Sequence, residues 1–383
     1  MFDVIIVGAG IEGSAVAYHC AKKGLRTLLL DQFPLPHTRG SSHGFARVTR
    51  YAYAEPHYQK MMKEAFPLWA LLEKESKTPL YRKTGMLVLS GPEREIYDRR
   101  LEETKNAGKP VEEIGHAERQ RRYPGFRHKD DTLTFIDVEA GILRANKALQ
   151  CFQDIFVRHG GVLRDSEKVE HIIPGDTVIV RTALSEYTAK HVVLTPGPWA
   201  GKLLKPLGLE PPLKTWRINV MFWREKVPGS YSNFPVFVDL SIGKRHIYGL
   251  PILEYPGMLK INYHGGIRPV DPDERDTIVG DHQWDIEMVS KYVTEHFPGL
   301  HSRPSIVETC MYTTTPDNEL ILDRHPRHPN IVIGCGFSGH GFKLAPVVGK
   351  ILCQMVMGET PTHDIAPCSL ARFPNSALIS ANL

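Results

Sequence analysis

Val4-Ile5-Ile6-Val7-Gly8-Ala9-Gly10-Ile11-Glu12-Gly13 opens the chain, and Leu28-Leu29-Leu30-Asp31 follows it. Val4 to Val7 has the length and β-branching of a buried parallel strand, with three glycines directly behind it. Gly8 permits a tight turn, Gly10 lets the backbone approach a pyrophosphate, and Gly13 allows the next helix to pack closely. A helix starting near Ile11, with Glu12 in its first turn, presents free N–H groups and the positive end of its dipole to phosphates. A second strand, Thr27 to Leu30, ends in Asp31, at the place where an acidic side chain accepts from ribose hydroxyls. The pattern predicts a bound dinucleotide and leaves NAD and FAD both open.

At 383 residues, with 42% hydrophobic and 23% charged residues, the composition is that of a soluble globular protein of two domains. The net charge of +4 is spread along the chain, which argues against nucleic acid or a membrane as partner. The local cluster Arg119, Arg121 and Arg122 reads as a solvated face. Cysteines at 20, 151, 310, 335, 353 and 368 show neither metal-ligand spacing nor a paired framework, so a reducing compartment is expected. Met1-Phe2-Asp3 leads straight into a core strand without a signal peptide, and no apolar run reaches membrane-spanning length. No metal is expected, because the histidines form no recognisable ligand set, and no nucleophile elbow marks a hydrolase. The final Ala381-Asn382-Leu383 has the style of a peroxisomal import address, with asparagine in place of the usual basic residue.

Changes of pattern mark the organisation. An amphipathic segment runs from Met61 to Glu73, Gly85 to Leu89 reads as a strand, and a charged helical stretch covers Glu93 to Ala107. Ala145 to Phe156 is helical again, and Gly160-Gly161-Val162 starts another strand. Val192-Val193-Leu194-Thr195-Pro196-Gly197 is a buried strand ending in a glycine turn, as expected where a third backbone segment, with Thr195 and Gly197, approaches the cofactor. Between Leu213 and Tyr312 the β-like runs Arg217 to Trp223, Ile247 to Leu250 and Leu259 to Tyr263 suggest a sheet roofing that cofactor. Asn330 to Gly336 and Leu344 to Met357 return to strand and helix. A cofactor domain interrupted twice suits a large elongated ligand.

Five separated stretches carry a resemblance: Arg39-Gly40-Ser41-Ser42-His43-Gly44; Trp223-Arg224-Glu225 with Val227-Pro228-Gly229-Ser230-Tyr231; His246-Ile247-Tyr248-Gly249-Leu250-Pro251; Glu308-Thr309-Cys310-Met311-Tyr312; and Gly336-Phe337-Ser338-Gly339-His340-Gly341-Phe342-Lys343. Nearly end to end, the chain resembles the monomeric sarcosine oxidase family of flavin amine oxidases, and within it the peroxisomal branch that acts on sarcosine and L-pipecolate. The resemblance implies an α/β fold in which a Rossmann-like FAD-binding domain of glutathione-reductase type is interrupted by a mainly antiparallel β-sheet substrate domain. The FAD-binding part would comprise residues 1–82, 141–216 and 317–372; the substrate part 83–140 and 217–316; and 373–383 a tail. FAD would be covalently held through Cys310 as a thioether. Ser42, Val169 and Gly339 would join the glycines, Asp31, Thr195 and Gly197 as cofactor contacts, with Arg47 against the flavin ring.

The resemblance further implies that Arg50 and Lys343 clamp the substrate carboxylate, a task suited to a guanidinium fork and an ammonium. Lys343, in a glycine-rich turn opening a helix, would also stabilise negative charge on the cofactor. His43 and His264 would flank the site, and Tyr248 would lie over the substrate. Strand alternation puts Lys260 on one face with Asn262 and His264, and the family places that lysine over the flavin to activate oxygen. The expected reaction is oxidation of a secondary amino acid by O2 to an imine and hydrogen peroxide, by a monomer brought to peroxisomes by the import receptor. Two other classes share the opening motif: an NAD-dependent dehydrogenase and a non-catalytic flavin-binding protein. Pocket shape is expected to depend on Ile252 to Tyr255 and on Met221 and Phe222.

Overall fold

The computed structural model describes residues 1–242, 246–276 and 283–373. Strand β1 (Phe2–Val7), helix α1 (Ile11–Lys22) and strand β2 (Thr27–Leu30) form the predicted unit. β1 pairs in parallel with β2 on one side and with Glu186–Leu194 on the other, and β2 pairs in parallel with Val162–Arg164. On its far side the long strand Glu186–Leu194 has two neighbours. Its first half pairs antiparallel with Val178–Thr182, and its last three residues pair in parallel with Ile331–Ile333. Val4 and Ile6 face a core built with α1 and the helices Ala145–Arg158 and Ala345–Val356, while Ile5 and Val7 face a second core. Covering on both faces is why the strand reads as an unbroken apolar run.

The glycine turn is sterically enforced. Gly8 has φ +100°, and a Cβ there would sit 2.5 Å from the Thr195 carbonyl oxygen. A Cβ on Gly13 would lie 1.9 Å from the Gly8 oxygen and 2.6 Å from Thr195 Oγ1, so α1 starts where only glycine fits.

A second sheet of nine strands is mainly antiparallel. Its centre runs from Lys214–Arg224 through Met258–Tyr263, Ile247–Leu250 and Val236–Asp239 to Met86–Ser90; the last two pair in parallel, and Ile306–Thr314 pairs with Lys214 to Phe222 of the first. One face packs on helix Trp284–His296 through Met221, Trp223, Leu259 and Ile261 against Val289, Val293 and Phe297. The other face, with Ile218, Val220, Val238, Tyr248 and Lys260, lines a cavity between the two sheets. A small antiparallel sheet of Ala46–Thr49, Gly141–Arg144 and Tyr81–Lys83 places Arg47 and the residues after it beside that cavity.

Two expectations are corrected. Arg119 is fully buried, donating to the Thr132 and Lys129 carbonyls and to Thr134 Oγ1. Only Arg121 and Arg122 face solvent-side carboxylates, Glu118 and Glu112. Met221 belongs to the helix-facing core and does not line the cavity; Phe222 is covered by Lys260 at 5.4 Å and Tyr255 at 4.7 Å. Nor do Ile252 to Tyr255 line it; the wall opposite is formed instead by the start of helix Glu95–Asn106.

Candidate active site

The cavity encloses about 1960 Å³ and is lined from both sheets. Of the cofactor-binding and catalytic residues expected from the sequence, all but Gly13 line it; Gly13 acts from behind, through its contact with Gly8.

At the glycine-turn end, Asp31 holds the turn in shape. Its Oδ2 accepts from Ala9 N at 2.8 Å and its Oδ1 from Phe33 N at 3.0 Å. Carboxylate oxygens have capacity for further donors, so ribose hydroxyls can share this group. Ser42 reaches across to accept from Ile11 N at 3.0 Å, which puts a hydroxyl donor at the N-terminus of α1. Glu12 is buried with its Oε2 unpartnered, and burial pushes its carboxyl well above the usual range. Burial thus favours the protonated form of this cavity-lining carboxyl. An orphaned buried carboxyl, a glycine cradle and helix N–H groups together fit a dinucleotide. Val169, Thr195 and Gly197 complete this wall.

Further along, Arg47 is fixed by backbone carbonyls: Nη1 donates to Ala46 O at 2.9 Å, and Nη2 to Ser41 O at 2.9 Å and His43 O at 2.5 Å. It lies 5.5 Å from the Phe342 ring. Nδ1 of His43 meets Gly40 O at 2.7 Å, so that nitrogen carries the proton. Burial first, then the Arg47 charge, lowers His43 to about 4, leaving it neutral at pH 7. Cys310 sits in strand Ile306–Thr314 with its Sγ 4.0 Å from Ser41 O, facing the cavity.

The far end is a cluster of cations and rings. Arg50 is buried, donates to the Ala52 carbonyl, and lies 4.2 Å over the Tyr53 ring. Lys343 Nζ donates to His340 O at 3.3 Å and lies 5.7 Å from the same ring. Trp69 Nε1 grips the Lys343 carbonyl at 2.9 Å, fixing the backbone from the core side. Burial, then the charges of Arg50, Arg100 and Arg47, hold the Lys343 ammonium well below its ordinary pKa. Such a lysine gains from an arriving anion. Tyr248, His264, His246 and Tyr312 wall the space beside them: His246 stacks on His264 at 4.5 Å, and Tyr312 lies 5.4 Å from His264. Burial pushes His246 far down and His340 to about 3, so both imidazoles are neutral.

Lys260 is buried and donates to Glu254 Oε1 at 3.0 Å, an oxygen that also accepts from Ala46 N at 3.2 Å. Burial lowers the Lys260 pKa and the Glu254 charge works against that fall. Lys260 and His264 share the cavity; Asn262 between them is enclosed, its Oδ1 accepting from Met221 N at 2.6 Å. Arg100 is a site residue that sequence reasoning missed, and Glu254, expected to shape the pocket with its loop, acts instead from behind the wall as the partner of Lys260. For Arg100 a signal existed: Tyr97, Leu101 and Thr104 mark the buried face of its helix, and a residue three after the first and four before the last falls on that face.

The family model for FAD dependent oxidoreductases matches residues 3–355. Peroxisomal sarcosine oxidase of Homo sapiens is 47% identical over 388 residues, covering 98% of this chain and 97% of that protein. Monomeric sarcosine oxidase of Bacillus sp. (strain NS-129) is 34% identical, with 97% of each chain covered. Among solved structures, the open form of NikD, an unusual amino acid oxidase, superposes with a TM-score of 0.84 at 23% identity over 96% of this chain and 97% of that one. L-proline dehydrogenase from P. horikoshii gives 0.84 at 20% identity over 98% and 99%.

Proposed function

This chain belongs to the FAD-dependent oxidoreductase family, in its sarcosine oxidase branch, and from that premise we propose that it oxidises secondary amino acids, N-methylated or cyclic, with O2. The products are an imine and hydrogen peroxide; the imine of sarcosine hydrolyses to glycine and formaldehyde. The family membership sets aside the NAD-dependent dehydrogenase. The observation that carries the reading is the pair Arg50 and Lys343, cations held by backbone carbonyls beside Tyr53 in the same cavity as Lys260 and the dinucleotide cradle.

FAD, when bound, accepts two electrons from the amine and passes them to O2. The cradle suited to it comprises Gly8, Gly10, Ile11, Glu12, Gly13, Asp31, Ser42, Val169, Thr195 and Gly197, with His43, Arg47, Cys310, Gly339 and Lys343 at the ring end. Arg50 and Lys343 bind the substrate carboxylate. Their positive field, with neutral His246 and His340 nearby, disfavours an ammonium and favours the free amine, whose lone pair the oxidation requires. Tyr248, His264 and Tyr312 exclude water from the carbon next to nitrogen. Lys260 places a fixed charge where oxygen becomes negative. A peroxide assay with sarcosine, L-pipecolate, L-proline and primary amino acids tests this: turnover of secondary amino acids is expected, and turnover confined to primary amines would overturn it.

Cys310 is proposed to hold FAD covalently as a thioether to the flavin 8-methyl carbon: a C–H bond there would give way to the C–S bond, with the two electrons going to the flavin and from it to O2, and a thiolate is the residue type suited to that attack. Acid-precipitated protein is expected to stay yellow, and Cys310→Ala to release all its flavin. Full release from the unaltered protein would refute the bond. A monomeric peroxisomal enzyme is also proposed, in keeping with the relatives. The address Ala381-Asn382-Leu383 lies outside the described residues. Removing these three residues is expected to leave a tagged chain in the cytosol; unchanged punctate staining would contradict the signal.

A further inference from the structure

Arg100 stands on helix Glu95–Asn106, on the face turned to the cavity, together with Ile96 and Arg99. Its Nε and Nη1 are buried and have no hydrogen-bond partner among the described residues. Burial and the neighbouring Arg50 guanidinium lower it to about 9, the Glu55 charge working against that fall. Glu55 also lines the cavity, yet no ion pair joins it to Arg100. Arg99, by contrast, spends its guanidinium on the Ala54 carbonyl at 3.4 Å. Arg100 also acts electrostatically on Lys343, His246 and Tyr53, which places it at the carboxylate-binding end of the cavity.

A guanidinium whose buried N–H groups are unpaired is costly, and the cost is relieved by an anion. Arg50 and Lys343 already suffice for one carboxylate. We propose that Arg100 forms a second anion subsite, and that the preferred substrates are secondary amino acids with a carboxylate on the side chain: N-methylated or cyclic derivatives of acidic amino acids. This rests on the amine-oxidase reading and specifies its substrate class. The cavity then holds two carboxylates, one on Arg50 and Lys343 and one on Arg100, with the oxidisable carbon set by the first.

The test compares kcat/KM of the FAD-loaded enzyme for N-methyl-L-glutamate and for its neutral isostere N-methyl-L-glutamine. One charge-assisted hydrogen bond predicts a preference for the diacid of about ten- to a hundredfold. Arg100→Leu is expected to bring the ratio close to one, and Arg100→Lys to keep part of it. A ratio near one in the unaltered enzyme would overturn the subsite. So would a ratio unmoved by Arg100→Leu while both substrates weaken together, since Arg100 would then be a third member of the single clamp. If Arg100→Leu does not fold, the unaltered enzyme and Arg100→Lys decide. Should neither these compounds nor sarcosine nor L-pipecolate be turned over, the oxidase reading fails, and thermal stabilisation by glutarate over glutaramate then tests the subsite by itself; equal stabilisation would refute it.

Discussion

Lys260→Met is expected to slow the oxygen half-reaction by about 10²–10³, the range found when one preorganised charge or donor is removed from a developing anion. The amine half-reaction, measured anaerobically by stopped flow, should change by only a few fold. The separation follows from position. Lys260 is buried on the sheet that faces the dinucleotide cradle, tied to Glu254 at 3.0 Å, whereas the carboxylate clamp lies with Arg50, Lys343 and Tyr53. A buried ammonium needs no reorganisation to meet a new negative charge, and in a water-poor cavity its effect is weakly screened. Methionine keeps most of the length and volume while removing the charge, though it leaves Glu254 without its partner. Glu254→Gln in the same background restores neutrality around that pair. Equal slowing of both half-reactions in the double variant would remove the assignment.

Arg50→Met is expected to lower kcat/KM for sarcosine and L-pipecolate by roughly thirtyfold to several thousandfold, since truncating one member of a buried charge pair costs about 2–5 kcal/mol. Most of the loss should fall on KM, because the carboxylate is bound equally before and during the reaction. Arg50→Lys restores charge without the fork and should recover only part of the loss. N-methylbenzylamine, an amine lacking a carboxylate, provides the contrast. It should be a poor substrate of the unaltered enzyme and be little affected by Arg50→Met. If both amines suffer alike, Arg50 is structural, acting through its bond to the Ala52 carbonyl.

The parts of this site that were legible in the sequence are those whose reason is local. Gly8 and Gly13 are demanded by the turn itself, where a Cβ would strike backbone atoms a few residues away or on the adjoining strand. Lys260 was legible because alternation inside an apolar strand puts it on a definite face. Arg50, Cys310 and Lys343 came from family resemblance, since an arginine, a cysteine and a lysine far apart in sequence carry no mark of meeting in one cavity. Glu254 was legible only as part of the loop Ile252 to Tyr255 expected to shape the pocket; its role as a partner depends on Lys260 and Ala46 arriving beside it. Arg119 misled because a basic run normally faces water, and only the docked loop from Lys129 to Thr134 supplies the acceptors that bury it. No sequence rule fixed how Met221 points, on which pocket shape was expected to depend; strand parity sends it to the helix-packed face with Trp223.

The central claim is that one cavity brings a secondary amino acid to FAD under the control of Arg50, Lys343 and Lys260. Its most direct test is anaerobic addition of sarcosine or L-pipecolate to the purified yellow protein, followed by air. The account predicts that the visible flavin absorption bleaches fully with substrate and returns on admitting oxygen, with one peroxide formed for each substrate consumed. A spectrum unchanged by either secondary amino acid would contradict it.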